Sequence, residues 1–272
     1  MMKKNKYLVI LALLMITIIS GGVVYAKRTT YFTLTGEVPA HIKLVLKVRY
    51  EPKQGTDECV THKKIKSYDM YLNPETVRQE QDSTYQLTLP TFLRVKGCYL
   101  PIRSVNIEAL GKYGEYMLYG KKYDKESGER FAAGIGFYDA RDEKLLDKQP
   151  LHYRSLCQWT FRIMPEGLIK ILICKAPDEQ WKLPEDKFKQ GKLNFYLARN
   201  NLAGQTVTVD FRLDQNEEPY FEGSWEKTPT GWKACVGNEE NRTIGYCDLA
   251  PGKYKTFEMN GKICTVYPNC TE

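Results

Sequence analysis

Residues 157–175 read CQWTFRIMPEGLIKILICK, and this stretch decides the fold. Cys157, Trp159, Phe161 and Ile163 alternate with Gln158, Thr160 and Arg162. Side chains of an extended chain point alternately to its two faces, so a period of two predicts a strand with one buried and one wet face. Pro165-Glu166-Gly167 supplies a turn, and Leu168 to Lys175 is a second β-rich run, which completes a hairpin. The hairpin brings Cys157 and Cys174 together on adjacent strands, within reach of a disulfide.

The same period recurs outward from the hairpin. Leu44, Leu46, Val48 and Tyr50 alternate with Lys43, Lys47 and Arg49. Tyr85, Leu87 and Leu89 alternate with Gln86 and Thr88, and Val105, Ile107 and Ala109 form another run behind Cys98. Strand character returns at Leu193 to Ala198 and at Val207, Val209, Phe211 and Leu213. Between these runs, residues 176–191 carry Pro177, Pro184 and many charges, and read as a linker or a short surface helix. Ala140 to Lys148 suggests one further short helix. The pattern predicts an all-β chain: an antiparallel sandwich over residues 27–178, then a second, smaller, disulfide-rich β-module over residues 190–272.

The N-terminus predicts export. Lys3, Lys4 and Lys6 precede an apolar run from Tyr7 to Ser20, and Val24 and Ala26 stand where a signal peptidase reads. This is the three-part pattern of a signal peptide over residues 1–26. Two fates stay open. Cleavage after Ala26 releases the chain into the periplasm, whereas an uncleaved segment anchors it in the inner membrane through residues 7–26. No cysteine closes the apolar run, which excludes a lipoprotein anchor. The formal charge is +7, and the three leader lysines lower it to +4 for the mature chain. So mild a charge lacks the concentrated basic face of a nucleic-acid binder, and no nucleic-acid partner is expected.

Eight cysteines, an even count behind an export signal, predict a disulfide framework. No C-x-x-C occurs, which argues against a zinc ribbon or a thioredoxin-type redox pair. Cys59 and Cys98 remain in the first half once Cys157 and Cys174 are paired. Closing their loop of about 40 residues restrains the unfolded chain by about 4 kcal/mol. Cys235, Cys247, Cys264 and Cys270 allow three pairings. Loop length favours Cys235–Cys247 with Cys264–Cys270.

Chemistry is sparse in the sequence. His41, His62 and His152 are scattered without metal-ligand spacing, and no H-E-x-x-H is present. Ser224 lies in Glu222-Gly223-Ser224-Trp225-Glu226, which lacks the outer glycines of a nucleophile elbow, so it reads as a turn residue. Gly134-Ile135-Gly136 lacks the third glycine and the helix of a phosphate loop, and reads as a strand with small residues. The adjacent acids Asp57-Glu58, Glu217-Glu218 and Glu239-Glu240 read as solvated loops. Asn241-Arg242-Thr243 and Asn269-Cys270-Thr271 match a glycosylation sequon that has no meaning in a bacterial chain. The expectation is a non-enzyme without metal or cofactor. Tyr220, Trp225, Trp232 and Tyr267 are the candidate partner-binding residues, as an exposed aromatic patch. The competing reading has them fill a small core beside the disulfides.

Three stretches carry a resemblance. They are Lys96-Gly-Cys-Tyr-Leu-Pro-Ile-Arg-Ser-Val-Asn-Ile-Glu108, Lys227-Thr-Pro-Thr-Gly-Trp-Lys-Ala-Cys235, and Tyr254-Lys-Thr-Phe-Glu-Met-Asn-Gly-Lys-Ile-Cys-Thr-Val-Tyr-Pro-Asn-Cys-Thr-Glu272. Together they resemble a family of uncharacterised exported proteins of enteric bacteria, over nearly the whole mature chain. Genes of that family often lie near type VI secretion loci and lipase-like effectors, the setting of immunity proteins. The missing lipid-anchor cysteine departs from some lipase immunity proteins, and the family offers no catalytic residue to carry over. The resemblance implies a periplasmic binding protein that neutralises a toxin by occlusion. Two other readings stand beside it: a structural, envelope-associated protein held at the inner membrane, and an envelope-polymer hydrolase built on two acids or on an acid with His62 or His152.

Overall fold

Alternation persists strand by strand in a computed structural model that describes residues 29–53, 59, 66–72, 80–139, 150–237 and 245–270. The leader, the suggested helix at 140–148, His62, Asp57-Glu58, Glu239-Glu240 and the sequon at Asn241 lie outside the described residues. The strands of the sandwich are β1 (Tyr31–Val38), β2 (Ile42–Tyr50), β3 (Tyr68–Leu72), β4 (Ser83–Pro90), β5 (Phe92–Val95), β6 (Cys98–Leu118), β7 (Lys121–Tyr138), β8 (His152–Met164), β9 (Gly167–Lys175), β10 (Leu193–Ala198) and β11 (Thr206–Pro219). They form a sheet in the order β4-β1-β11-β8-β9 and a second in the order β10-β7-β6-β2-β3, with β5 also paired to β6. The residues of period two face inward. Phe32 and Leu34, Leu44, Leu46 and Val48, Val105 and Ile107, Ile135 and Phe137, and Val207, Val209 and Phe211 meet in one core between the sheets.

The all-β fold with a smaller disulfide-rich module is as the alternation predicts, but both sheets are mixed rather than purely antiparallel. β1 runs parallel to β11, β11 to β8, and β10 to β7. Residues 176–191 are the reason. Parallel neighbours need a long crossover, and this segment carries the chain from β9 in one sheet to β10 in the other. The chain then returns as β11 between β1 and β8. The sandwich therefore extends to Pro219, beyond the expected start of the second module at residue 190. The crossover is pinned to the outer face of the first sheet. The Arg212 guanidinium lies 4.2 Å from the centroid of the Trp181 ring, and the Ala176 N–H donates to Gly191 O at 2.8 Å.

Close approach between β1 and β11 depends on Gly36. A Cβ there would stand 2.0 Å from Val209 O. The bare backbone lets the buried Tyr85 ring pass and donate its hydroxyl to that same carbonyl at 3.0 Å. A buried hydroxyl without a partner would be costly, and here both groups are satisfied.

Beyond the sandwich, β12 (Trp225–Thr228), β13 (Gly231–Ala234), β14 (Phe257–Met259) and β15 (Lys262–Cys264) make two short hairpins. Four disulfides join Cys59–Cys98, Cys157–Cys174, Cys235–Cys247 and Cys264–Cys270. The last two are the pairs that loop length favours. Such bridges persist in an oxidising, extracytoplasmic compartment. Among the described residues no helix is long and apolar enough to cross a membrane.

At the edge of the second sheet, β3 is tied to β2 by Asp69. Arg49 grips its carboxylate through Nε at 2.9 Å and Nη2 at 3.2 Å, and Lys47 Nζ adds a contact at 3.0 Å. The Arg49 hydrogen bond, aided by Lys47 against a smaller opposing push from burial, holds the Asp69 carboxyl at about 2. An unfolded aspartate titrates near about 3.9. The pair therefore stabilises fully above that value, and its contribution is lost as pH falls through about 2. Asp69→Asn should lower the urea midpoint at neutral pH. The gap to the unsubstituted chain should narrow steadily as pH falls from about 4 to about 2. A gap that does not change with pH would contradict this role.

Candidate functional site

The four aromatic candidates do not form a surface patch. Trp225 is 7% exposed and Tyr267 2% exposed. Both pack on Phe161, at ring-centroid distances of 4.9 and 4.2 Å, with the half-buried Trp232 at 6.1 Å. Tyr220 alone stays open, 39% exposed, with the Arg162 guanidinium 5.2 Å from its ring centroid. The physical reason is size. The module has few aliphatic residues, so aromatic rings with their large buried area fill its core beside Cys264.

A polar tie accompanies this core. Tyr267 donates its hydroxyl to Glu217 Oε2, and Lys170 Nζ meets Glu217 Oε1 at 2.7 Å. Burial, then the Glu217 carboxylate, pushes the Tyr267 hydroxyl well above the ordinary tyrosine range. The three groups come from β9, β11 and the module, so they lock the module onto the sandwich.

The scattered chemical candidates also find structural places. His41 sits in the β1–β2 turn with a left-handed φ of 61°. His152 Nε2 lies 2.5 Å from Asp210 Oδ2, and Asp210 Oδ1 accepts the Glu37 N–H at 2.9 Å. That contact falls just past the last parallel pair of β1 and β11, Thr35 with Thr208, so Asp210 holds β1 where the ladder ends. Gly134 and Gly136 lie in β7, as the sequence predicts, and their bare backbone admits Asn194 and the Tyr196 ring from β10. Among the described residues no group of three or more His, Cys, Asp or Glu is placed to hold a metal ion.

What stands out is the β6–β7 hairpin. β2 pairs with β6 only as far as Gly111, and β10 meets β7 only from Ala133 onward. Residues 112–126 therefore continue as a two-stranded arm. At about 3.3 Å per residue it runs roughly 20 Å past Gly111. Its two faces differ. On one, Lys112 bridges Glu115 and Asp124, each at 2.7 Å, and Lys122 pairs with Glu115. On the other, Tyr116 and Tyr123 stand opposite each other and stack at 5.5 Å, with Leu118 on the same side.

At the arm's tip Tyr119 and Gly120 turn the chain with φ of 50° and 74°. Positive φ at both central residues is the two-residue turn that asks for Asn-Gly. Tyr119 takes the asparagine's place and is 94% exposed. Met117, Leu118, Tyr116 and Tyr123 are exposed around it. An aromatic ring in a strained turn, fully in water, adds nothing to the fold. The sequence signal for this surface is the unbroken apolar run Tyr116-Met117-Leu118-Tyr119, which departs from alternation at a hairpin turn.

Comparison with protein-family models, with curated proteins and with solved structures gives no match to this chain.

Phe161 joins the module to the sandwich, so its removal has a definite expected cost. Phe161→Ala should destabilise the chain by about 3–5 kcal/mol in denaturant unfolding, as for large core aromatics. A loss under about 1 kcal/mol would show that the ring does not hold the two parts together.

Proposed function

We propose that this chain is an exported, non-catalytic binding protein of the periplasm that neutralises a partner protein, as an immunity protein does. The observation that carries the proposal is the arm. A convex rod tipped with Tyr119, Leu118 and Met117 fits a concave site and offers large apolar anchors to it. The salt-bridged face of Lys112, Glu115, Lys122 and Asp124 stiffens the rod and keeps it soluble. The disulfides suit a protein working outside the cytosol. The resemblance to exported proteins encoded beside type VI effectors supports a secreted, lipase-like toxin as the partner. Inhibition would then be occlusion: the arm fills the mouth of the toxin's cleft, and no bond is made or broken.

The cell-level test is deletion of the gene in a strain exposed to the toxin encoded beside it. Increased killing, reversed by the mature chain, is expected. Unchanged sensitivity, with the chain retained in washed membranes and no soluble partner recovered, would end this reading and favour an envelope-anchored structural protein.

The arm also makes a separable prediction. Tyr119→Asn gives the turn the residue its backbone prefers, so the melting temperature should hold or rise. Affinity for the partner should nevertheless fall at least about tenfold. Unchanged affinity would remove the tip from the interface.

A further inference from the structure

The outer face of the second sheet carries two rows of residues that cross the strands β10-β7-β6-β2-β3 in register. One row is Tyr196, Gly136, Ser104, Arg49 and Asp69. The neighbouring row is Asn194, Gly134, Asn106, Lys47 and Tyr71. Both rows face outward, because Val105, Ile135 and Val48, which alternate with them, lie in the core. With strands about 4.8 Å apart, each row runs roughly 19 Å across the sheet.

The rows are high at their ends and low in the middle. Tyr196 on β10 is 71% exposed and Tyr71 on β3 is 65% exposed, and these are the two edge strands. Between them Gly134 and Gly136 have no side chain, and those of Ser104 and Asn106 are short. A cavity of about 430 Å³ lies over these four residues, with Tyr196 and Arg49 at its sides. A second cavity of the same size adjoins it through Glu51 and Arg103, which line both. The face is thus an open trough with an aromatic ring at each end.

The chemistry of the trough narrows its occupant. The backbone of the floor is committed to the sheet ladder, so side chains must do the reading. Each charged group here already meets an opposite one. Asp69 takes Arg49 at 2.9 Å and Lys47 at 3.0 Å, Glu51 lies 3.7 Å from Arg103, and Asp139 takes Arg199 at 2.8 Å and Lys53 at 3.0 Å. Beside these pairs stand neutral groups, the Asn106 and Asn194 amides and the Ser104 hydroxyl. An amide side chain both donates and accepts, which matches a ligand rich in hydroxyls. A sugar ring joins a rim of hydroxyls to an apolar C–H face, and that face lies flat on an aromatic ring. Rings at both ends of a trough this long fit a run of sugars rather than a single one.

We propose that this trough binds a linear glycan of uncharged hexose units, laid across the strands from Tyr196 to Tyr71, with Asn106, Asn194 and Ser104 hydrogen-bonded to its hydroxyls. The site is separate from the arm tip, and neither proposal needs the other.

The test is calorimetric titration of residues 27–272 with two neutral β-1,4-linked probes, cellotetraose and the tetramer of N-acetylglucosamine. At least one should bind with a millimolar or lower dissociation constant. Tyr196→Ala and Tyr71→Ala should each weaken it about tenfold, with the unfolding midpoint held because both rings are exposed. Tyr119→Asn, at the arm tip, should leave it unchanged. Absence of binding by either probe at about 10 mM would overturn the proposal. So would parental affinity in both tyrosine variants, or a preference for the charged tetragalacturonate over the neutral tetramers.

Discussion

Trp159 and Phe161 are neighbours on one face of β8, yet they lie in different cores. Trp159 is in the core of the sandwich, and Phe161 is at the centre of the module's aromatic cluster. A strand is stiff over two residues, so the two cores are fixed relative to each other by the backbone of β8 itself. The remaining joints build on that continuity. Cys157 is bridged to Cys174 on β9, and Glu217 on β11 receives both Lys170 and Tyr267. A module with so little aliphatic surface gains its stability from the sandwich it grows out of and from the bridges Cys235–Cys247 and Cys264–Cys270.

The same rigidity supports the proposed role of the arm as a docking element. β6 spans 21 residues and β7 spans 18, and their inner halves are clamped in the sheet. The outer halves inherit a fixed direction. A flexible loop bearing the same aromatic residues would lose ordering entropy on binding, whereas a hairpin braced by ion pairs and a tyrosine stack has already lost it. At the arm's base Tyr113 packs edge-on against Trp159 at 5.7 Å, so the arm is seated on the sandwich core.

Much of this was legible in the sequence, for a physical reason. Strand alternation is a local signal, and it marks β2, β4, β8 and β9 residue by residue. Hairpin geometry is nearly as local, which is why Cys157–Cys174 follows from the turn at Pro165. Parallel pairing is not local. Nothing in residues 193–219 says that β10 and β11 join different sheets of the sandwich, and so the boundary read at residue 190 falls too early. Aromatic residues carry the opposite ambiguity, since Trp225 and Tyr267 have the composition of an interface but the burial of a core. The exposed arm was hidden because Tyr116 to Tyr119 looks like any apolar strand until its lack of neighbours is known.

The proposed function requires that a partner grip the arm tip. Hydrogen–deuterium exchange on residues 27–272, alone and with the proposed toxin partner, tests this directly. The account predicts slowed exchange concentrated in residues 113–125, with the β12–β13 hairpin unchanged. Protection that falls on the module or the outer sheet faces, with residues 113–125 exchanging as in the free chain, would contradict it.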